Sequence, residues 1–306
     1  MSGLRLRTAL WLARGCSSVP ILERGLLRLC RDERLRRWSR AGAVAVAYPQ
    51  VLQAERLEVA ELEGFRLSVN LAEHQGAGAY FFGQTVVPAW VGHWVRAGDT
   101  CLDVGANAGV FSLAMAHAAG AAGRVVAFEP NPALVRRFCD SLALNPGLAP
   151  RIELDERAVS DEDGARVRFF PSLDPHNSGT SSLLAGAHGT RADHALEVQT
   201  VTLRAVLERR GLPRIRLAKV DVEGVEDRVV RGMGEALAAH RVEAWFVEMK
   251  RGAEPEGALL SAGYRGWAAE GDALAPLGSV APGSFGDFVF VAPHVEAEFH
   301  RVAGLG

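Results

Sequence analysis

The stretch Cys101–Leu113, CLDVGANAGVFSL, decides the fold. Cys101 to Val104 is a short apolar run holding one acid, Asp103, and from Gly109 onward the apolar residues fall at helical spacing. Between the two lie Gly105, Asn107 and Gly109. A buried strand that turns through glycines into a helix is the opening unit of a doubly wound sheet. In such sheets ligands bind beyond the carboxyl ends of the strands, where the strand order reverses.

Outward from this stretch the chain keeps alternating. Strands are expected at Arg124–Glu129, Ile152–Val159, Ile215–Val222 and Val242–Met249. Helices are expected at Pro132–Leu144, Leu203–Arg210 and Val225–Ala239. Short apolar strands separated by amphipathic helices imply a parallel sheet covered on both faces. The tail differs, because Tyr264–Ala269 and Phe285–Val291 are separated by Gly and Pro turns and should pair antiparallel at one edge of a seven-strand sheet.

Before the core, Leu57–Val59 and Phe65–Val69 alternate with period two around Glu63-Gly64, which reads as a hairpin. Pro88 opens a helix that Gly98-Asp99 stops. The first forty residues are rich in arginine, with Leu22, Leu26 and Leu29 at helical spacing and a break near Ser17–Pro20. Two readings stand for this segment: a helical cap whose arginines face water, or a basic amphipathic surface making peripheral contact with a membrane. The chain therefore divides into an N-terminal helical and hairpin segment, 1–80, and a core domain, 81–306.

The formal charge of −2 gives no field that points to nucleic acid. Cys16, Cys30, Cys101 and Cys139 form no CxxC pair, no apolar run approaches the roughly 20 residues needed to span a bilayer, and Arg14, Arg24 and Arg28 interrupt any signal-peptide core. A cytoplasmic protein is expected. Its oligomeric state is open.

The loop after the first core strand discriminates between cofactors. A dinucleotide site wants GxGxxG against the pyrophosphate, whereas here Asn107 and Val110 put side chains at two of the four checkpoints. A cofactor with an amino acid end, an adenosine end and no phosphate suits the loop better, and S-adenosylmethionine is one. Asp103 is placed to take its ammonium group, Gly105, Asn107 and Gly109 to lie along it, and Glu129, ending VVAFEPNP, to accept from the ribose hydroxyls.

DVGANAGVFSL, AFEPNP, AVSDEDG, NSGTSSL and KVDVEGVEDRVVRGM stand in this order between residues 80 and 250. Together they resemble the FkbM family of S-adenosylmethionine-dependent methyltransferases. The resemblance implies an α/β class I methyltransferase fold, with a Rossmann-like doubly wound sheet and a terminal antiparallel pair. It implies methylation of a hydroxyl on a sugar, glycan, polyketide or related secondary metabolite. It also puts Ala158 and Val159 near the adenine.

The catalytic candidates lie beyond the other strand ends. Period-two alternation turns Lys219, Asp221 and Glu223 to one side of their strand, where buried charges are costly unless paired or functional. Asp221, with Glu248 from the next strand, is expected to orient the acceptor hydroxyl and take its proton. His176, in the polar loop Asp174–Ser182, is a rival general base, while His188 and His194 are expected to face solvent. Glu226 belongs to a helix first turn. A divalent metal on Asp221, Glu223 and Glu248 is an alternative that is not favoured, since the spacing is no fixed ligand triad. The rival functions are a nicotinamide-dependent oxidoreductase and a noncatalytic scaffold or membrane-surface protein.

Overall fold

The computed structural model describes residues 3–38, 41–172, 174, 176–184 and 192–305, so that Arg40, Pro175 and His188 lie outside the described residues. The chain opens with helices α1 (Gly3–Ser18), α2 (Pro20–Arg31), α3 (Glu33–Trp38) and α4 (Ala41–Ala47). The break between α1 and α2 falls at Val19, which is extended and directly precedes Pro20. Strands β1 (Leu57–Leu62) and β2 (Phe65–Asn70) then form the expected hairpin, with Glu61 opposite Arg66 and Gly64 at φ +84° in the turn.

Helices α5 (His74–Phe82) and α6 (Ala89–Trp94) lead into strand β3 (Thr100–Val104), followed by α7 (Val110–Ala118), β4 (Arg124–Phe128), α8 (Pro132–Ala143) and β5 (Ile152–Asp155). The predicted strand Ile152–Val159 is in fact two. Asp155 anchors Arg157 in a tight bend, and Ala158–Val159 (β6) leaves the main sheet to join β7 (Arg166–Phe169) and β8 (Leu196–Val201) in a three-stranded sheet of order β6-β8-β7.

Then come α9 (Leu203–Arg209), β9 (Ile215–Val220), α10 (Glu226–Arg231), α11 (Glu235–Ala238) and β10 (Val242–Lys250). The single helix expected over 225–239 is interrupted at Gly232–Gly234. There Gly232 lies so close to the Ser160 carbonyl that a Cβ would come within 2.3 Å, and Gly234 turns at φ +52°. Helix α12 (Glu254–Ser261), strands β11 (Arg265–Glu270), β12 (Ala273–Pro276) and β13 (Phe285–Val291), and helix α13 (Glu296–Ala303) complete the chain.

The main sheet has eight strands in the order β12-β11-β13-β10-β9-β3-β4-β5. Strands β5, β4, β3, β9 and β10 are parallel. Strand β13 runs antiparallel to both β10 and β11, as the Gly and Pro turns predict, while the short β12 adds an eighth strand that periodicity missed. Strand order reverses between β3 and β9, the switch point that a doubly wound sheet leaves open to a ligand.

The N-terminal segment is packed into this core. Strand β2 lies on α8, where Ser68 N–H donates to Ser141 Oγ at 3.1 Å and Asn145 brackets Arg66 through both its amide and its carbonyl oxygen. Buried apolar residues run without interruption from Ala9 and Ala13 through Phe81 and Leu102 to Phe299. Helix α5 crosses the expected boundary at residue 80.

Candidate active site

All three residues singled out between β3 and α7 adopt left-handed backbone: Gly105 at φ +77°, Asn107 at +52° and Gly109 at +90°. That conformation is open to glycine and, among L residues, most readily to asparagine. A Cβ on Gly105 would come within 1.8 Å of the Asp221 carbonyl oxygen, and one on Gly109 within 2.3 Å of the Phe138 ring. The loop thus presses against the end of β9 on one side and against α8 on the other.

Glu129, just past β4, is 4% exposed. Asn107 N–H and Asn131 N–H donate to its two oxygens, each at 2.9 Å. Burial outweighs these bonds and pushes its pKa up to about 7. The carboxylate is fixed in place with lone pairs remaining for a ligand.

These elements rim a cavity of about 710 Å³, within the usual range for a small-molecule site. Gly105, Asn107, Glu129, Ala158 and Val159 line it, and so do Asp221, Glu248 and His176. Gly109 is absent from the wall, serving the packing on Phe138. Asp103, expected to meet the cofactor's ammonium group, is also absent from it and has no exposure. It sits beneath the loop because Ser112 Oγ donates to Oδ2 at 2.6 Å and Lys219 Nζ stands 3.7 Å from Oδ1.

Lys219 organises this corner. Strand β9 is buried throughout and carries two charges, both paired. At its start Arg216 stacks on Trp94 and bonds Glu243 and Glu298, tying α13 to the sheet. Near its end Lys219 Nζ donates to the Gly105 carbonyl at 2.5 Å and lies 3.3 Å from Asp221 Oδ2. Burial opposes the charge on Lys219, but Asp221 and Asp103 hold its pKa above the ordinary value.

The strand does not persist through Glu223 as alternation assumed. It stops at Val220, and Glu223 turns at φ +58°. Nonetheless Asp221, Glu223 and Glu248 each present an oxygen within 4.8 Å of the others. Asp287, directly opposite Glu248 in the β10–β13 register, adds a fourth acid. Burial first, and Asp221 second, push the pKa of Glu223 up to about 7, of Asp287 to about 6 and of Glu248 to about 9. Glu248 therefore holds its proton to higher pH than an ordinary carboxyl does. Glu226 accepts from Gly224 N–H at 2.9 Å, as a residue closing the turn into α10 does.

A further part of the wall was not foreseen. Glu73, at the N-cap of α5, accepts two bonds from Arg137 of α8 at 2.9 and 3.0 Å, and Ser178 Oγ donates to it at 2.6 Å. Nδ1 of His176 lies 2.9 Å from the Ala72 carbonyl, so Nδ1 carries the hydrogen and Nε2 is left as the acceptor. His194, by contrast, is exposed, as expected. The only prior sign of this wall was the polar run Asn177–Ser182. Asp287 had one too, as the lone charge in FGDFVFV.

A family model described as the methyltransferase FkbM domain matches residues 103–277. Among curated proteins the chain is 34% identical over 165 residues to the 31-O-demethyl-FK506 methyltransferase FkbM of Streptomyces tacrolimicus, covering 46% of this chain and 62% of that protein. It is 29% identical over 158 residues to the hexuronic acid methyltransferase AglP of Haloferax volcanii, covering 52% and 59%. The chain thus spans about three fifths of the length of these relatives. Among solved structures, a methyltransferase FkbM from Methylobacillus flagellatus KT aligns with a TM-score of 0.42 at 13% identity, over 87% of this chain and 57% of that one.

Proposed function

The chain belongs to the FkbM methyltransferase family, and from that premise we propose that it is an S-adenosylmethionine-dependent O-methyltransferase acting on a hydroxyl of a small molecule. The observation that carries the reading is one cavity joining two kinds of wall: the fixed Glu129 and left-handed loop on one side, and the acids beyond β9 and β10 on the other. The relatives named for 31-O-demethyl-FK506 and for hexuronic acid support an acceptor of the sugar, glycan or polyketide kind.

The residues present fit the cofactor. Glu129 would accept from its ribose hydroxyls, Gly105 and Asn107 would lie along its amino acid end, and Ala158 and Val159 would face its adenine. A dinucleotide fits less well, because Asn107 and Val110 crowd the places where a pyrophosphate needs bare backbone. When bound, S-adenosylmethionine supplies a methyl group made electrophilic by its sulfonium.

The protein's own contribution is then placement and one proton. Holding reactants in attack geometry is worth about 7–11 kcal/mol, against roughly 10²–10⁴-fold for a general base. Asp221 would accept a hydrogen bond from the acceptor's hydroxyl and take its proton. Lys219 fixes the position of Asp221 and, through Gly105, that of the loop. Glu248, whose ionisation is opposed by burial and by Asp221, helps orient the hydroxyl beside Asp221. His176 is the rival base through Nε2. Lys219, beside Asp221, offsets charge among the acids here, so activity should survive EDTA; loss restored by Mg²⁺ would instead assign a metal to them.

We place the N-terminal segment, residues 1–80, as the acceptor-side wall, because Leu67, Glu73 and His74 line the cavity. Four free thiols support a reducing, cytoplasmic compartment. The first test is calorimetric titration with S-adenosylmethionine, S-adenosylhomocysteine and NAD. Saturable binding of the first two alone is expected. Binding of NAD alone would revive the oxidoreductase, and binding of none would favour a noncatalytic fold.

A further inference from the structure

We infer that the outward face of α1 and α2 docks on an anionic lipid bilayer. Helix α1 turns Ala9 and Ala13 inward, at 4% and 0% exposure. Trp11, on the opposite pole, is 74% exposed, with Arg7 and Arg14 one turn before and after it on the same face. In α2 the leucine stripe does not all face the core. Leu26 is buried with Glu23 and Cys30, while Ile21 is 76% and Leu22 50% exposed beside Arg24 and Arg28.

The orientation of α2 is set from inside. Glu23 is buried, accepts from Tyr48 Oη at 2.6 Å and pairs with Arg56 at 2.7 Å. Rotating α2 to bury Ile21 and Leu22 would break that pair and strand a buried carboxylate. Both helices pack on α4, so the faces described here are those turned away from it.

Charge selects the occupant. Residues 6–31 hold five arginines and one acid, Glu23, which is already paired, although the whole chain is at −2. Arg31 is spent on the carbonyls of Glu61, Ala79 and Tyr80. Among the described residues, Arg7, Arg14, Arg24 and Arg28 are exposed and form no ion pair. Arginines around an exposed tryptophan and aliphatic side chains match a lipid headgroup above an acyl boundary. A nucleic acid would satisfy the arginines but offer nothing to Ile21 and Leu22. No described helix is long and apolar enough to cross a membrane, so the contact is peripheral.

The test is sedimentation of the full chain with vesicles of phosphatidylcholine alone and of an equimolar mixture with phosphatidylglycerol, without cofactor or acceptor. The intact chain should bind the mixed vesicles, release at high salt and ignore phosphatidylcholine. Arg7→Glu with Arg14→Glu, or Trp11→Ser with Ile21→Ser, should each weaken binding about tenfold or more. Brominated lipid should quench the intact chain's fluorescence but not that of Trp11→Phe, which reports insertion in a folded protein. Failure of the intact chain to bind would overturn the inference. So would binding that ignores Trp11 and Ile21 and is competed by a single-stranded oligonucleotide, or a dimer in place of vesicle binding that Ile21→Ser dissociates.

Discussion

Glu73 and Arg137 meet through two hydrogen bonds, at 2.9 and 3.0 Å, with side chains only 12% and 7% exposed. The pair joins the N-terminal segment to the helix after the second core strand, and both residues line the same cavity as Asp221. Arg137→Met should cost about 3 kcal/mol, because Glu73, largely out of water, loses its opposite charge and keeps only the neutral donor Ser178 Oγ at close range. Adding Glu73→Gln should recover more than half of the loss. Chemical denaturation of the two variants decides it, and no recovery in the double variant would mean that the contact with Ser178 dominates.

Lys219→Met keeps the length of the side chain but removes the charge between Asp103 and Asp221. Stability should fall and turnover should be lost. Asp103→Asn in the same chain should restore melting without restoring turnover, because Asp221 stays unanchored. Recovery of both would reduce Lys219 to a structural charge.

Division of labour across the cavity gives a third expectation. Glu129→Ala should weaken S-adenosylmethionine binding by at least about tenfold, since it removes a buried hydrogen-bonding group fixed by Asn107 and Asn131. Asp221→Asn should leave binding nearly unchanged and lower turnover by roughly 10²–10⁴-fold. Titration calorimetry and a methyl-transfer assay separate the two, and equal effects on binding would sink the assignment. His176→Ala should then keep most activity, whereas loss equal to that of Asp221→Asn would make His176 the base.

Gly105→Ala is a steric test of the loop. A methyl group would fall 1.8 Å from the Asp221 carbonyl oxygen, on backbone at φ +77°. The loop must shift, so cofactor binding should drop by at least about tenfold even where melting changes little. Unchanged affinity would show that the cofactor does not lie on Gly105.

Protonation of the acid cluster has a consequence for stability. A carboxyl whose folded pKa is raised contributes fully below its unfolded value, here about 4.5, and loses that contribution as pH rises through the folded one. Glu223, at about 7, and Glu248, at about 9, should therefore make the ligand-free protein progressively less stable from about pH 4.5 to 9. Glu248→Gln mimics the protonated form. It should flatten the upper part of this slope and stabilise the protein at pH 9 by about 1–2 kcal/mol, a figure reduced for partial exposure to solvent. Parallel profiles for variant and parent would place the proton elsewhere.

The sequence by itself determined the sheet's alternating core and the β3–α7 turn, because strand period, helix period and left-handed glycines are local properties that neighbours in the chain impose. It also marked Asp221 and Glu248 as unusual, since charge is costly on buried strands. Tertiary structure decided the rest. Asp103 faces the interior because Ser112 and Lys219 hold it there, and Lys219 becomes an organiser only where β9 meets the loop after β3. Glu73, Arg137 and Asp287 enter the site from segments 64 and 39 positions away from their partners, at separations where periodicity carries no signal. The bend after Asp155 likewise depends on its ion pairs, and the outward turn of Ile21 depends on the buried Glu23 beneath it. These are choices between locally equivalent conformations, made by the energetics of pairing charges out of water.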